Sequence, residues 1–118
     1  MLMSNFYGVK KLSNKSVTNT SALGGWFMIS GVDFGSNAPV KVVIQAASRK
    51  GGELEIWLDD LINGKRIAKV KVGATQAGIS NLFTAALEKV QGQHDLFIRF
   101  PRGSAEDIQV KSIQFNAK

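Results

Sequence analysis

The sequence has no cysteine, one histidine, two prolines and a single tyrosine in 118 residues. Without cysteine there is no disulfide framework, no thiol nucleophile and no cysteine-ligated zinc. The one histidine, His94, has no serine pair or carboxylate cluster spaced to serve it, so neither a metal centre nor a general base is expected there. No apolar run reaches the roughly 18 residues that cross a bilayer, so no membrane span is expected. The opening Met1-Leu2-Met3-Ser4-Asn5 has neither the charged nor the apolar region of a signal peptide. That leaves a protein kept inside the cell, or a module of a larger secreted chain. No acidic residue precedes Asp33. The net charge is +6, yet no basic run exceeds two residues, as in Lys10-Lys11, Arg49-Lys50 and Lys65-Arg66. Nucleic-acid binders usually concentrate their charge along one face or one helix. This chain does not, so the excess is read as solvated basic surface and no nucleic-acid partner is expected.

What the sequence does have is alternation. Apolar residues make up 44% and charged residues 20%, the balance of a packed domain, and residues 1–118 suit one domain. Residues 40–46 put Val40, Val42, Ile44 and Ala46 on one face, with Lys41 and Gln45 on the other. Residues 53–59 set Leu54, Ile56 and Leu58 against Glu53, Glu55, Trp57 and Asp59. Residues 66–72 place Val70 and Val72 inside with Lys69 and Lys71 outside, and residues 95–100 set Leu96 and Ile98 against Phe97 and Phe100. Period two marks half-buried strands. Gly51-Gly52 separates two of them, and Asn63-Gly64 predicts a tight hairpin turn before the next.

About eight strands result: 6–12, 24–30, 40–48, 53–59, 66–72, 81–87, 94–100 and 108–115. The expectation is an all-β fold, a two-sheet antiparallel β-sandwich or jelly roll. One stretch reads two ways. Leu82, Phe83, Ala86, Leu87 and Val90 stand at helical spacing behind Ser80, a possible N-cap, so 80–90 fits a helix as well as a strand. Asp59-Asp60 does not make a glycosidase pair, because adjacent strand residues face opposite ways and cannot flank one bond. Both are read as acids flanking the turn.

Three ordered stretches carry a resemblance. They are Gly24-Gly25-Trp26-Phe27-Met28-Ile29-Ser30-Gly31-Val32-Asp33-Phe34-Gly35, then Ala47-Ser48-Arg49-Lys50-Gly51-Gly52-Glu53-Leu54-Glu55-Ile56-Trp57-Leu58-Asp59, then Gly92-Gln93-His94-Asp95-Leu96-Phe97-Ile98-Arg99-Phe100. With a closing Ile113-Gln114-Phe115, they resemble carbohydrate-binding module family 6, a galactose-binding-like jelly roll. The likeness is to modules appended to family 43 glycoside hydrolases. It implies a strand at 81–87 and a structural, strand-start role for His94.

The resemblance also implies a loop site in which two aromatics sandwich a sugar and an Asn supplies hydrogen bonds. Trp26 matches the first aromatic. The second normally lies in a Thr-Gly-Gly-Trp stretch, which here reads Thr75-Gln76-Ala77-Gly78, so that platform is missing. The Asn position falls on Gln109, or on Asp107 if the loop shifts by two. The family's structural calcium uses an early Glu and a late Asp. The early acid is absent and the late one aligns with Lys111, so no calcium is expected.

Some members of the family carry a second, sheet-face cleft, and Trp57 with Glu55 would form it. Each tryptophan also has a plainer reading, Trp26 as packing and Trp57 as cover for a neighbouring strand or a catalytic domain. The expected function is a non-catalytic module of a secreted, cell-surface or periplasmic bacterial polysaccharide-degrading enzyme. Its ligand would be a plant or algal polysaccharide such as xylan, arabinoxylan or β-glucan, bound weakly on an exposed Trp. The alternative is a degenerate module that serves only as a structural domain against the catalytic domain.

Overall fold

Alternating apolar residues give each strand one face to bury, and two such faces must close on each other. The computed structural model describes residues 5–7, 9–11, 17–19, 24–35, 39–76, 79–101 and 108–116. Among these residues are ten strands and no helix. They are β1 (Asn5–Tyr7), β2 (Val9–Lys11), β3 (Val17–Asn19), β4 (Gly25–Asp33), β5 (Lys41–Ala47), β6 (Gly52–Leu58), β7 (Lys65–Val72), β8 (Asn81–Ala86), β9 (Gln93–Phe100) and β10 (Gln109–Asn116). Two five-stranded sheets form, in the orders β1-β4-β9-β6-β7 and β2-β3-β10-β5-β8. The strand pairs are antiparallel. The last two strands in chain order, β9 and β10, therefore occupy the middle of the two sheets.

Each strand expected from the sequence has its counterpart in this β-sandwich. The first is divided, β1 joining one sheet and β2 the other, and the short β3 is added between β2 and β10. Three residues are too few to show a period, so β3 left no pattern to read. The stretch of double reading is a strand, β8, paired along β5 from Lys41↔Ala86 to Ala46↔Asn81. Its helical stripe is not buried as a unit, because Leu82 stands 68% exposed while Val90 is buried.

The core lies between the sheets. Phe27, Leu54, Ile56, Val70, Leu96, Ile98 and Phe100 from the first face Val42, Ile44, Ala46 and Val110 from the second, all buried. Each large apolar side chain removed from water in this way contributes about 1.5–3 kcal/mol. Phe100 joins Leu96 and Ile98 on the buried side rather than Phe97, since positions 96, 98 and 100 share one strand face. The rings of Phe27 and Phe100, on neighbouring strands of the first sheet, stand 6.3 Å apart.

The tight turn expected at Asn63-Gly64 is instead a longer loop, residues 59–64, between β6 and β7. Asp59 opens it with φ 68°, a left-handed backbone that aspartate tolerates better than most residues. The Asp60 carboxylate then accepts hydrogen bonds from the N–H groups of Ile62 and Asn63 at 2.7 and 3.2 Å. Those bonds also hold the Asp60 carboxyl below its usual pKa. Gly64 is required by proximity. A Cβ there would run into the backbone of Leu58 and Asp60.

Candidate functional site

The outward face of the first sheet carries the candidate site. Burying Leu54, Ile56 and Leu58 turns Glu53, Glu55 and Trp57 of β6 outward. The same rule turns Trp26 and Met28 of β4 outward opposite Phe27, and Phe97 and Arg99 of β9 outward opposite Ile98. Register then lines them up across the sheet. One row runs Tyr7, Trp26, Arg99, Glu55, Lys69, crossing all five strands. The next runs Met28, Phe97, Trp57, Arg66. The indole of Trp26 meets the ring of Phe97 at 5.6 Å between centroids, tilted by 57°, a favourable edge-inclined geometry.

Glu55 is the hub of the polar contacts. Its side chain is only 12% exposed. The Trp57 indole N–H donates to its Oε1 at 3.1 Å, and Arg66 Nη1 donates to its Oε2 at 3.2 Å. Arg99 Nη1 approaches Oε1 at 3.6 Å, an ion pair too long for a hydrogen bond. Two guanidinium groups thus share one carboxylate. Further along the face, Lys69 Nζ pairs with Glu53 Oε2 at 3.1 Å.

A pocket of about 410 Å³ opens at the Trp26 end of this row. Tyr7, Gly24, Gly25, Trp26 and Arg99 line it together with Leu61 and Ile62 of the 59–64 loop. Tyr7 and Ile62 are strongly exposed there. Among the described residues its lining holds one cation and no acid. An aromatic wall, an apolar rim and one guanidinium suit a ligand with an apolar face and polar edges.

The sequence-derived residues distribute unevenly. Glu55 and Trp57 come together on the sheet face, as the spacing implied. Trp26 also faces outward on the first sheet, in register with Arg99. Gln109 opens β10 in the second sheet, paired with Thr18 and Ala47, and does not line the pocket beside Trp26. Asp107 lies outside the described residues, as do Ala77 and Gly78; Gln76 is exposed. His94 sits off the site. Its Nδ1 meets the Asp59 carboxylate at 3.0 Å and its Nε2 the Gln91 carbonyl at 2.8 Å.

Sequence reasoning missed Arg99, Arg66, Phe97, Tyr7, Leu61 and Ile62. Phe97 and Arg99 were accessible in principle, since their alternation with Leu96 and Ile98 points both outward. Their neighbours depend on cross-strand register, which no local pattern carries.

The profile of one protein family, Carbohydrate binding module (family 6), matches residues 3–117. No curated protein sequence matches the chain. Among solved structures it is similar to a family 6 carbohydrate-binding module from Clostridium cellulolyticum in complex with xylose. Identity is 25% and TM-score 0.81, over 97% of this chain and 91% of that one. It is also similar to a glycoside hydrolase family 43 arabinoxylan arabinofuranohydrolase from Bacillus subtilis in complex with cellotetraose. There identity is 25% and TM-score 0.75, over 87% of this chain but 21% of that one. A β-1,3-glucan-binding family 6 module from Bacillus halodurans shares the fold at 21% identity and TM-score 0.81, over 98% of this chain and 90% of that one. With a profile match spanning nearly its whole length and the β-sandwich that the family shares, this chain belongs to carbohydrate-binding module family 6, a family of non-catalytic modules.

Proposed function

We propose that the chain binds a polysaccharide across the outward face of its first sheet, without acting on it chemically. The observation that carries this reading is the row Tyr7–Trp26–Arg99–Glu55 over one continuous face, with the pocket at its Trp26 end. A pyranose presents C–H groups on its faces and hydroxyls at its edges. Trp26 offers a surface for the first, while Arg99, Arg66 and Glu55 offer donors and an acceptor for the second. The chain resembles a module in complex with xylose and part of a hydrolase in complex with cellotetraose, so xylan, arabinoxylan and β-glucan are the ligands to try first.

Binding is weak in this reading. The second platform, a tryptophan in the family's Thr-Gly-Gly-Trp stretch, is absent from Thr75-Gln76-Ala77-Gly78. Losing one stacked ring costs about 1–2 kcal/mol, or roughly five- to thirtyfold in affinity. The parent protein is a secreted, cell-surface or periplasmic polysaccharide-degrading enzyme whose catalytic domain adjoins this module. The similarity to part of a family 43 hydrolase supports that assignment. No structural calcium is included in the proposal.

Isothermal titration with xylan, arabinoxylan and mixed β-glucans tests the reading. Binding should appear with at least one of them and fall at least tenfold in Trp26→Ala. Folded protein that binds none would reverse it. A second reading has its own observation: the indole N–H of Trp57 is already taken by Glu55, and neither tryptophan is fully open. On that reading the face packs against a catalytic domain and serves structure alone. Efficient quenching of both indoles by iodide or acrylamide in the isolated chain would count against existing burial, and glycan binding would decide between the two.

A further inference from the structure

The charge on this face goes beyond what a neutral sugar needs. Arg66 and Arg99 share the single carboxylate of Glu55, which leaves the group one positive charge in excess. Of the other acids nearby, Glu53 pairs with Lys69, while the Asp95 carboxylate accepts the Gly31 N–H at 3.1 Å and keeps its charge four residues from Arg99 along β9. Oε1 of Glu55 takes its hydrogen bond from Trp57, so Arg99 is held by charge alone at 3.6 Å. Its side chain is 41% exposed and lines the pocket, whose described lining contains no acid.

Geometry adds a direction. Trp26 and Arg99 are register partners on neighbouring strands, and such pairs hold their Cβ atoms about 4.5–5.5 Å apart. A sugar ring laid on Trp26 therefore has a guanidinium at its edge. A neutral hexose offers that edge a hydroxymethyl group and one neutral hydrogen bond. A hexuronate offers a planar carboxylate, which an arginine can clasp with two charge-assisted bonds, each about twice as strong as a neutral one.

Resting on the binding reading above, we infer that the ligand is an acidic polysaccharide, with a uronic-acid ring on Trp26 and its carboxylate on Arg99.

The test compares polygalacturonate, alginate and glucuronoxylan with the same polymers after carboxyl reduction, by isothermal titration at low and moderate salt. At least one uronan should bind about tenfold or more tightly than its reduced form. Arg99→Gln should abolish that ratio. Lys41→Gln, which removes one charge from the second sheet, should retain it. Equal affinity for native and reduced polymers overturns the acid preference and leaves the sugar-binding reading standing. Polyglutamate binding as tightly as the uronan overturns it as well, since a carboxylate without a sugar ring would suffice. A sulfated glycan that outcompetes every uronan overturns the carboxylate assignment. If no polymer binds while circular dichroism shows folded protein, both readings fall.

Discussion

Trp57 donates its indole N–H to Glu55 Oε1 at 3.1 Å, two residues back along the same strand. The contact fixes the orientation of a carboxylate that also receives Arg66 and Arg99 from the strands on either side. Three strands are thereby tied through one side chain. Glu55 is thus both a contact a glycan could use and the counter-charge shared by two arginines on the flanking strands.

Replacing Glu55 by Gln should lower stability by about 1 kcal/mol, as two partly exposed arginines lose their shared anion. For a domain of this size that is a fall of about 4 °C in Tm. Salt screens the repulsion left behind, so the deficit should shrink as ionic strength rises. Thermal melts of the two proteins at low and high salt measure it; a deficit indifferent to salt would assign the loss to packing.

Gly64→Ala should act on the site from a distance. The new Cβ collides with the backbone of Leu58 and Asp60, neither of which can swing aside like a side-chain tip. We expect a cost of about 1–3 kcal/mol and a shift of the loop that carries Leu61 and Ile62. Glycan affinity should drop together with stability. A variant that loses stability but keeps full affinity would remove the loop from the site.

His94 gives the molecule a readable pH dependence. The hydrogen bond that the ring donates to the Asp59 carboxylate, ahead of the one it donates to the Gln91 carbonyl, raises its pKa above the ordinary 6.5. Folding therefore favours the protonated ring. That stabilisation is complete below pH 6.5 and is lost as pH climbs through the raised folded-state value. Tm should decline across this window, and His94→Gln should flatten the decline. An unchanged slope in the variant would trace it to other groups.

A chelator should leave Tm unchanged. On the alignment that the resemblance implies, exposed Lys111 takes the place of the family's calcium-binding Asp, and no acid precedes Asp33. A cation needs oxygen ligands and negative charge, and ligand binding to the native state alone raises Tm. A drop with EDTA that calcium reverses would reveal a different set of ligands.

How much of this was legible in the sequence depended on range. Strand β6 could be read because Leu54, Ile56 and Leu58 alternate strictly with Glu53, Glu55 and Trp57, and an i, i+2 pair such as Glu55 and Trp57 must share a face. Trp26 beside Arg99 could not, since β4 and β9 meet only through long-range register. Asn63-Gly64 misled for a related reason: the pair is a common hairpin signal, but Gly64 answers to a close approach of Leu58 and Asp60 instead. Gln109 was read as the residue that replaces the family's Asn just before the last strand, and it opens β10 in the other sheet from Trp26.

The central position of β9 and β10 bears on how the molecule is made. A ribosome delivers these strands after all the others, so neither sheet can be zipped together until residues 93–116 have emerged. Before that, β4 and β6 have no neighbour between them, and β3 and β5 are in the same position. Pairings this distant in the chain are entropically slow to close, typically milliseconds to seconds in all-β domains. The row that presents Trp26, Arg99 and Glu55 is completed by its middle member, last of the three to be synthesised. The capacity to bind should thus arise in a single late step, with no partially assembled intermediate competent for ligand.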